Sequence, residues 1–216
     1  QISTNNGPMK QQKNGKMPPM PNGKMPPGGM PPMMTPAAML QKMTSMDNPP
    51  LEMLTKFIMA TDAFSCSCAG AVVRAFDLST HRDAVDLGGG SGRISFELSR
   101  TYSNMNVTMF DLPPVIQIAQ KCFSNNSDSR VKYTAGDFFE GDLPSGDLYI
   151  LGHILHSWDD QSIDKLLTKI YAKLPPGGSL LTLEKVLDDD KCGPEICATN
   201  DLVLSLMSKG RERNAA

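Results

Sequence analysis

The chain has 216 residues, of which 40% are hydrophobic and 20% charged, and its 21 basic and 23 acidic side chains leave a net charge of -2. This composition is typical of a soluble globular protein of one or two domains. The sequence has no apolar run of about 18 residues, no secretory leader and no basic excess, so we expect no membrane and no nucleic-acid partner.

The first fifty residues form a low-complexity segment. They hold 10 of the 15 methionines and 11 of the 17 prolines, and the unit Gly-Lys-Met-Pro-Pro occurs at 15–19 and again at 23–27. Proline removes amide donors and glycine raises chain entropy, so residues 1–50 are predicted to be a flexible, disordered arm and residues 51–216 the folded core. Two alternatives remain open for the arm, docking of its prolines on an aromatic groove and binding of a soft metal by its methionines.

The cysteines give an odd count of five and lack the paired C-x-x-C spacing of a zinc site. They are Cys66, Cys68, Cys122, Cys192 and Cys197. We therefore expect reduced thiols, a cytoplasmic location and no metal site.

From Leu51 onward, helical and strand periods alternate. Ala69, Val72, Val73 and Phe76 fall at i, i+3, i+4 and i+7, which predicts one buried helix face. Short apolar runs predict five strands, at 84–85, 107–110, 131–134, 148–155 and 179–187.

Helices are predicted between the later strands. Pro113-Pro114 favours a helix start, and the inner face of that helix is predicted to be Val115, Ile118, Ala119 and Cys122. Asp159-Asp160 favours a second start, and Pro175 favours a stop. Strands that alternate with helices predict an α/β fold with a doubly wound, mostly parallel Rossmann-like sheet.

A glycine cluster, 88–92, follows the first predicted strand and its Asp86. Glycine suits a tight turn whose backbone a ligand can approach closely, which is the expected role of Gly88, Gly90 and Gly92. The dinucleotide pattern G-x-G-x-x-G would require a third glycine where this chain has Arg93, although the glycine turn alone does not separate the two cofactor classes.

Polar residues also end the other predicted strands, at Asp111, Asp137, His156 and Glu184. Because ligands bind beyond the carboxyl ends of parallel strands, we expect these residues to line one crevice. Asp111 can accept hydrogen bonds from ribose hydroxyls, and Asp137 can accept from an adenine amino group while Phe138 covers the face of the adenine ring. Each acid taken singly is also compatible with capping of a helix or a turn.

Four blocks in this order resemble the small-molecule O-methyltransferases that use S-adenosylmethionine (SAM). The blocks are DLGGGSG at 86–92, FDLPPVI at 110–116, GDFFEGDLPSGDLYILGHILHSWDD at 136–160 and TLEKVLDDD at 182–190. The chain is most similar to the animal acetylserotonin (hydroxyindole) O-methyltransferases, with the plant caffeic acid enzymes as more distant relatives. The resemblance implies SAM as cofactor, S-adenosylhomocysteine as product, and cofactor contacts from Asp86, Gly88, Gly90, Gly92, Asp111, Leu112, Asp137 and Phe138.

The same resemblance implies how a hydroxyl acceptor is activated. His156 matches the catalytic base of the family's H-D-W motif, and Glu184 matches the acid that orients this base. Ser157 replaces the motif's acid, and we expect Ser157 and Trp158 to position the substrate. The alternatives are a structural histidine and a glutamate that ends a strand; His153, by strand alternation, is predicted to lie on the opposite face and to be structural.

Family members carry an N-terminal helical domain that forms a homodimer, and the repetitive arm stands in its place here. The segment from Leu202 to Arg213 resembles the family helix that precedes the last two strands, so we expect a fragment that begins at Gln1 and is truncated at its C-terminal end. The leading hypothesis is methyl transfer to a phenolic or hydroxyindole small molecule. A catalytically silent, cofactor-binding scaffold and a nucleotide dehydrogenase are the alternatives.

Overall fold

A computed structural model describes residues 51–123, 128–207 and 209–215, apart from the side chains of residues 64 and 207. In chain order the elements are α1 (Leu51–Val73), β1 (Asp83–Leu87), α2 (Arg93–Thr101), β2 (Asn106–Asp111), α3 (Pro113–Cys122), β3 (Val131–Ala135), β4 (Leu148–Gly152), a 3-10 helix (Leu155–Ser157), α4 (Asp160–Lys173), β5 (Ser179–Leu183) and α5 (Glu195–Met207). The predicted arm, 1–50, lies outside the described residues, so its separation from the core stays a prediction.

The five strands form one parallel sheet in the order β3-β2-β1-β4-β5. The chain builds outward from β1 through β2 to β3, then crosses back to add β4 and β5 on the other side. The prediction of a doubly wound, Rossmann-like sheet is confirmed. Strand order reverses between β1 and β4, which is where ligands bind in such sheets.

Apolar side chains cover both faces of the sheet. In β4, Leu148 and Ile150 pack into a cluster with α1, α2 and α3, whereas Tyr149 and Leu151 pack into a second cluster with α4. All four side chains are fully buried. This burial on both faces explains why β4 reads as an almost continuous apolar run.

Two helices begin where the sequence predicts. α3 starts at Pro113, whose fixed φ suits the first helical position and whose missing N–H costs nothing there. The side chain of Asp159 caps α4 by accepting a hydrogen bond from the Ser162 backbone N–H at 2.9 Å. α4 then ends at Lys173, two residues before Pro175.

Two residues predicted to be buried are exposed because they lie at or beyond helix ends. α1 ends at Val73, and Phe76 is 61% exposed, whereas Leu78 is buried. Cys122 is the last residue of α3 and is also exposed. Helical periodicity alone does not mark where a helix stops, so both predictions are wrong.

Two strands are shorter than predicted. β4 ends at Gly152 because His153 adopts a left-handed φ of 57°, and the 3-10 helix follows directly. β5 ends at Leu183, the residue that pairs with Gly152, since β4 offers no partner beyond this point. The chain after β4 therefore turns across the edge of the sheet where the carboxyl ends of the strands meet, which is the mouth of the sheet.

The C-terminal segment also differs from its prediction. Only the first part of 202–213 is helical, because α5 spans Glu195–Met207. Farther on, Arg213 forms an isolated parallel bridge with Val186, and its carbonyl accepts a hydrogen bond from the Leu187 N–H at 2.9 Å. The segment after α5 therefore lies beside the chain that leaves β5.

Within the described part of the chain, no single helix has the length and apolarity to cross a membrane. The two halves of α1, Leu51–Ala63 and Ser65–Val73, meet at a bend of 49° and pass that test together by length and composition.

Candidate functional site

The turn between β1 and α2 requires glycine. Gly88, Gly90 and Gly92 have φ values of 72°, 59° and 83°, which side chains rarely adopt. A Cβ at Gly88 would collide with the Ile154 side chain, whereas a Cβ at Gly90 would have no atom within 4 Å. The turn is therefore closely packed at Gly88 and open at Gly90.

Two buried carboxylates lie next to this turn, at the ends of β1 and β2. Asp111, at the end of β2, accepts hydrogen bonds from the backbone N–H of Gly90 at 2.9 Å and of Leu112 at 2.7 Å. Asp86, in β1, accepts a hydrogen bond from Ser95 Oγ in α2 at 2.7 Å. Burial raises the pKa of each carboxyl group to about 6. Asp111 thus faces the turn, while Asp86 ties β1 to α2.

Arg93, the first residue of α2, forms a two-point ion pair with Asp62 of α1. Its Nε and Nη2 atoms lie 3.1 and 2.9 Å from the two carboxylate oxygens, and both side chains are largely buried. Such a bidentate pair fixes the relative orientation of the two helices. The position where a dinucleotide fingerprint would need glycine is used here for helix packing.

The predicted adenine-side residues follow β3. Asp137 Oδ1 accepts a hydrogen bond from the Phe139 backbone N–H at 2.8 Å, so the capping role that the sequence left open is present. The Phe138 ring lies near the glycine turn, with its Cε1 atom 3.9 Å from the Cβ position of Gly88. Leu112 is half-buried and packs beside α3. Phe138 is thus brought to the turn, and Asp137 organises its loop.

An aromatic cluster joins this region to the turn after β4. The Trp158 ring lies edge-on to the Phe139 ring at a centroid distance of 4.6 Å, and Phe138 lies 6.3 Å from Trp158. The Ser157 N–H donates to the Ile154 carbonyl at 3.1 Å. Ser157 and Trp158 therefore border the same mouth of the sheet as the glycine turn.

His156 lies in the 3-10 helix and faces two carboxylates. Its Nδ1 atom is 3.6 Å from Glu184 Oε2 and 3.4 Å from Glu212 Oε1. The side chains of His156 and Glu184 are each 17% exposed, and that of Glu212 is 0% exposed. A positive charge on this imidazole would be stabilised from two directions.

Glu184 contacts the backbone of the turn after β4 in addition to His156. Its Oε1 atom accepts hydrogen bonds from the backbone N–H groups of Ile154 at 3.0 Å and Leu155 at 2.8 Å. Burial raises the pKa of Glu184, and His156 and these N–H groups oppose that shift. The predicted pair of His156 and Glu184 is therefore brought together.

Glu212 is a candidate site residue that the sequence patterns do not reveal. Its carboxylate accepts a hydrogen bond from the Asn200 side chain, and its backbone N–H donates to Asp201 at 2.7 Å. Burial alone would raise its pKa, but the contacts with His156 and Asn200 lower it. No local pattern identifies this residue, because it reaches His156 only through the fold of the segment after α5.

His153 does not lie on the opposite face from His156. The two ring centroids are 5.8 Å apart, because β4 ends before His153 and strand alternation no longer applies. Burial, together with the neighbouring His156 and Lys185, lowers the pKa of His153 to about 4. One ligand-type atom from each of His153, His156 and Glu184 lies within 4.8 Å of the others, so these three residues could hold a metal ion.

The sheet order, the glycine turn after β1 and the acids at the end of β2 and after β3 define a Rossmann-like domain of the methyltransferase type. The profile of the O-methyltransferase domain family matches residues 44–216. This chain therefore belongs to the O-methyltransferase domain family.

Several characterised proteins are similar to this chain. It is 37% identical to the acetylserotonin O-methyltransferase of Gallus gallus, over 76% of this chain and 47% of that protein, and 40% identical to that of Bos taurus, over 67% and 42%. Human N-acetylserotonin methyltransferase, solved in complex with SAM, superimposes with a TM-score of 0.73 at 35% identity, over 76% of this chain and 47% of that one. The chain thus spans less than half the length of these relatives.

Proposed function

We propose that this chain transfers a methyl group from SAM to a hydroxyl group of a phenolic or hydroxyindole small molecule. Family membership and the similarity to acetylserotonin O-methyltransferases support this reaction class. The observation that carries the proposal is the position of His156 beside the half-buried Glu184 and the buried Glu212, at the same mouth of the sheet as the glycine turn.

The donor side fits SAM. The space at Gly90 is open, and the Asp111 carboxylate lies directly beneath the turn. We propose that the turn, Asp111 and Leu112 bind the methionine and ribose portions, while Asp137 and Phe138 bind the adenine. SAM, when bound, supplies an electrophilic methyl group on a sulfonium sulfur.

The acceptor hydroxyl must lose its proton, because a phenol with a pKa of about 10 is mostly protonated at neutral pH. We propose that His156 accepts this proton. Its Nδ1 atom faces the carboxylates, so Nε2, on the other side of the ring, is the atom that takes the proton. Glu184 and Glu212 then stabilise the imidazolium and hold its orientation, which gives a base without a covalent nucleophile.

One observation favours a second candidate function, a catalytically silent relative that binds cofactor and serves as a scaffold. Ser157 stands where the family motif has an acid. A hydroxyl can donate or accept a hydrogen bond, but it does not carry the charge with which a carboxylate pairs with a cation.

Two measurements on the full chain separate these functions. Calorimetry with S-adenosylhomocysteine tests the donor side, and tritiated methyl transfer to a panel of phenols and hydroxyindoles tests the acceptor side. We expect binding and transfer. Binding without transfer to any acceptor would support the scaffold, and tighter binding of NAD than of S-adenosylhomocysteine would support a dehydrogenase. The homodimer and the cytoplasmic location stay predictions.

A further inference from the structure

We propose that the corner of the site around His156 is also a Zn²⁺ site, in which His153, His156 and Glu184 are the ligands and Glu212 is a fourth, adjacent carboxylate. This site would reverse the expectation of no metal that the cysteine spacing suggested. Binding of Zn²⁺ is independent of the proposed function; only its effect on catalysis rests on that function.

The distances suit a small cation after modest closure. Zn–N and Zn–O bonds of about 2.0 Å place the ligand atoms of a tetrahedral site about 3.3 Å apart. His156 Nδ1 already lies 3.6 Å from Glu184 Oε2 and 3.4 Å from Glu212 Oε1. The ligand atoms of His153, His156 and Glu184 lie within 4.8 Å of one another, so the widest pair must approach by about 1.5 Å.

The ligand types and their supports also suit zinc. Two histidines with one glutamate are a known zinc ligand set. Glu184 and Glu212 each keep one buried oxygen, Oε2, without a hydrogen-bond partner among the described residues. Their other oxygens are held, that of Glu184 by backbone N–H groups and that of Glu212 by Asn200. Ligands oriented in this way by outer hydrogen bonds bind metal more tightly.

Occupation of this site would stop the proposed proton transfer. Zn²⁺ on Nδ1 of His156 uses the lone pair of that nitrogen, so the ring proton resides on Nε2. Nε2 is then a donor and no longer accepts a proton from a hydroxyl. Zn²⁺ is therefore expected to inhibit methyl transfer reversibly. His153 is the proposed metal ligand that has no role in the proposed proton transfer.

The test compares the unmodified full chain with His153→Asn and His81→Asn. Asparagine is chosen because it tolerates the left-handed φ of residue 153 better than most residues do. His81, the third histidine of the chain, pairs with Asp147 instead of this corner and is the matched control. Thermal denaturation confirms that each variant folds.

Competition against a chromophoric chelator, with Zn²⁺ as the only metal, should give one bound ion per chain. Affinity should fall at least about tenfold in His153→Asn and stay unchanged in His81→Asn. Zn²⁺ should inhibit methyl transfer by the unmodified chain and by His81→Asn, and a chelator should restore it. His153→Asn should retain its transfer and resist the inhibition.

Equal Zn²⁺ affinity in His153→Asn and in the unmodified chain would overturn the proposal. If His153→Asn does not fold, the Co²⁺ spectrum of the unmodified chain decides. Visible d–d bands without thiolate-to-metal charge transfer support this site, whereas a thiolate band assigns the metal to the cysteines and overturns it. Zn²⁺ binding in a chain that transfers no methyl group would refute the proposed function and leave the metal site intact.

Discussion

The proposed donor region and the proposed acceptor region of this site are held together in different ways. The donor region consists of the glycine turn and the ends of β1 and β2, where Asp86 and Asp111 bond to groups 9 and 21 residues away. The acceptor region consists of the turn after β4, the end of β5 and residues 209–215. There Glu184 bonds to groups about 30 residues away, and Arg213 reaches the Leu155 carbonyl across 58 residues.

This difference implies that substitutions in one region can impair its role without impairing the role of the other region. The donor region lies at the carboxyl ends of β1 and β2, where residues 84–87 and 109–111 are all buried, whereas every residue of β5 is only half-buried or exposed. Changes to His156 or to its carboxylate partners should therefore lower catalysis and leave cofactor binding intact. Changes to the donor region should alter binding or stability.

The largest expected effect is that of His156→Ala. Methyl transfer should fall about 10²- to 10⁴-fold, because a positioned base contributes that much. Binding of S-adenosylhomocysteine should not change, since the donor region is untouched. The measurements are tritiated transfer and calorimetry, with His81→Ala as the control. Full transfer by His156→Ala would show that another group is the base.

Asp86→Asn should change how the stability of the cofactor-free donor region depends on pH. Burial raises the pKa of Asp86 from 3.8 to about 6, so its protonated form stabilises the fold below pH 3.8 and this contribution is lost as pH rises through 6. The Asp86→Asn variant has no charge to bury. Between pH 4 and pH 7 its free energy of unfolding should therefore rise by up to about 3 kcal/mol relative to that of the unmodified chain.

Urea denaturation at both pH values measures this difference in the free energy of unfolding. Asp83→Asn is the control, because Asp83 is exposed at the start of the same strand. A difference between Asp86→Asn and the unmodified chain that is the same at pH 4 and pH 7 would contradict the burial argument.

Glu184→Gln and Glu212→Gln should each lower kcat by about 10- to 100-fold. A carboxylate charge within about 4 Å stabilises an imidazolium by about 1–4 kcal/mol, and glutamine keeps the shape of the side chain without its charge. Glu195→Gln, at an exposed position of α5, is the control. If either variant at the site also lost S-adenosylhomocysteine binding, the two regions would be coupled.

The smallest expected effect is a difference in S-adenosylhomocysteine binding between Gly90→Ala and Gly177→Ala. Both glycines have positive φ, and a Cβ at either would have no atom within 4 Å, so each variant should lose about 1 kcal/mol of stability through strain. Only Gly90→Ala should also weaken S-adenosylhomocysteine binding, by about tenfold, because its methyl group enters the ligand space. If calorimetry finds that Gly90→Ala and Gly177→Ala bind S-adenosylhomocysteine with equal affinity, the open space at Gly90 is not part of the cofactor site.

The parts of the fold that could be predicted from sequence are those with local causes. The proline that opens α3, the Asp159 cap of α4 and the glycines at positive φ act within a few residues, and all were correctly placed. The lengths of β4 and β5 were not, because each depends on where its partner strand ends. His153 was assigned to the wrong face for the same reason.

The sequence by itself determined the alternation of strands and helices and the glycine turn, because periodicity and strand ends carry that information along the chain. The pairing of His156 with Glu184 was implied by the resemblance of the sequence to the O-methyltransferases. Only the tertiary structure decided that Glu212 also faces His156 and that His153 joins them. These contacts depend on how a left-handed residue after β4 and the segment after α5 pack at one mouth of the sheet, and no local pattern encodes such packing.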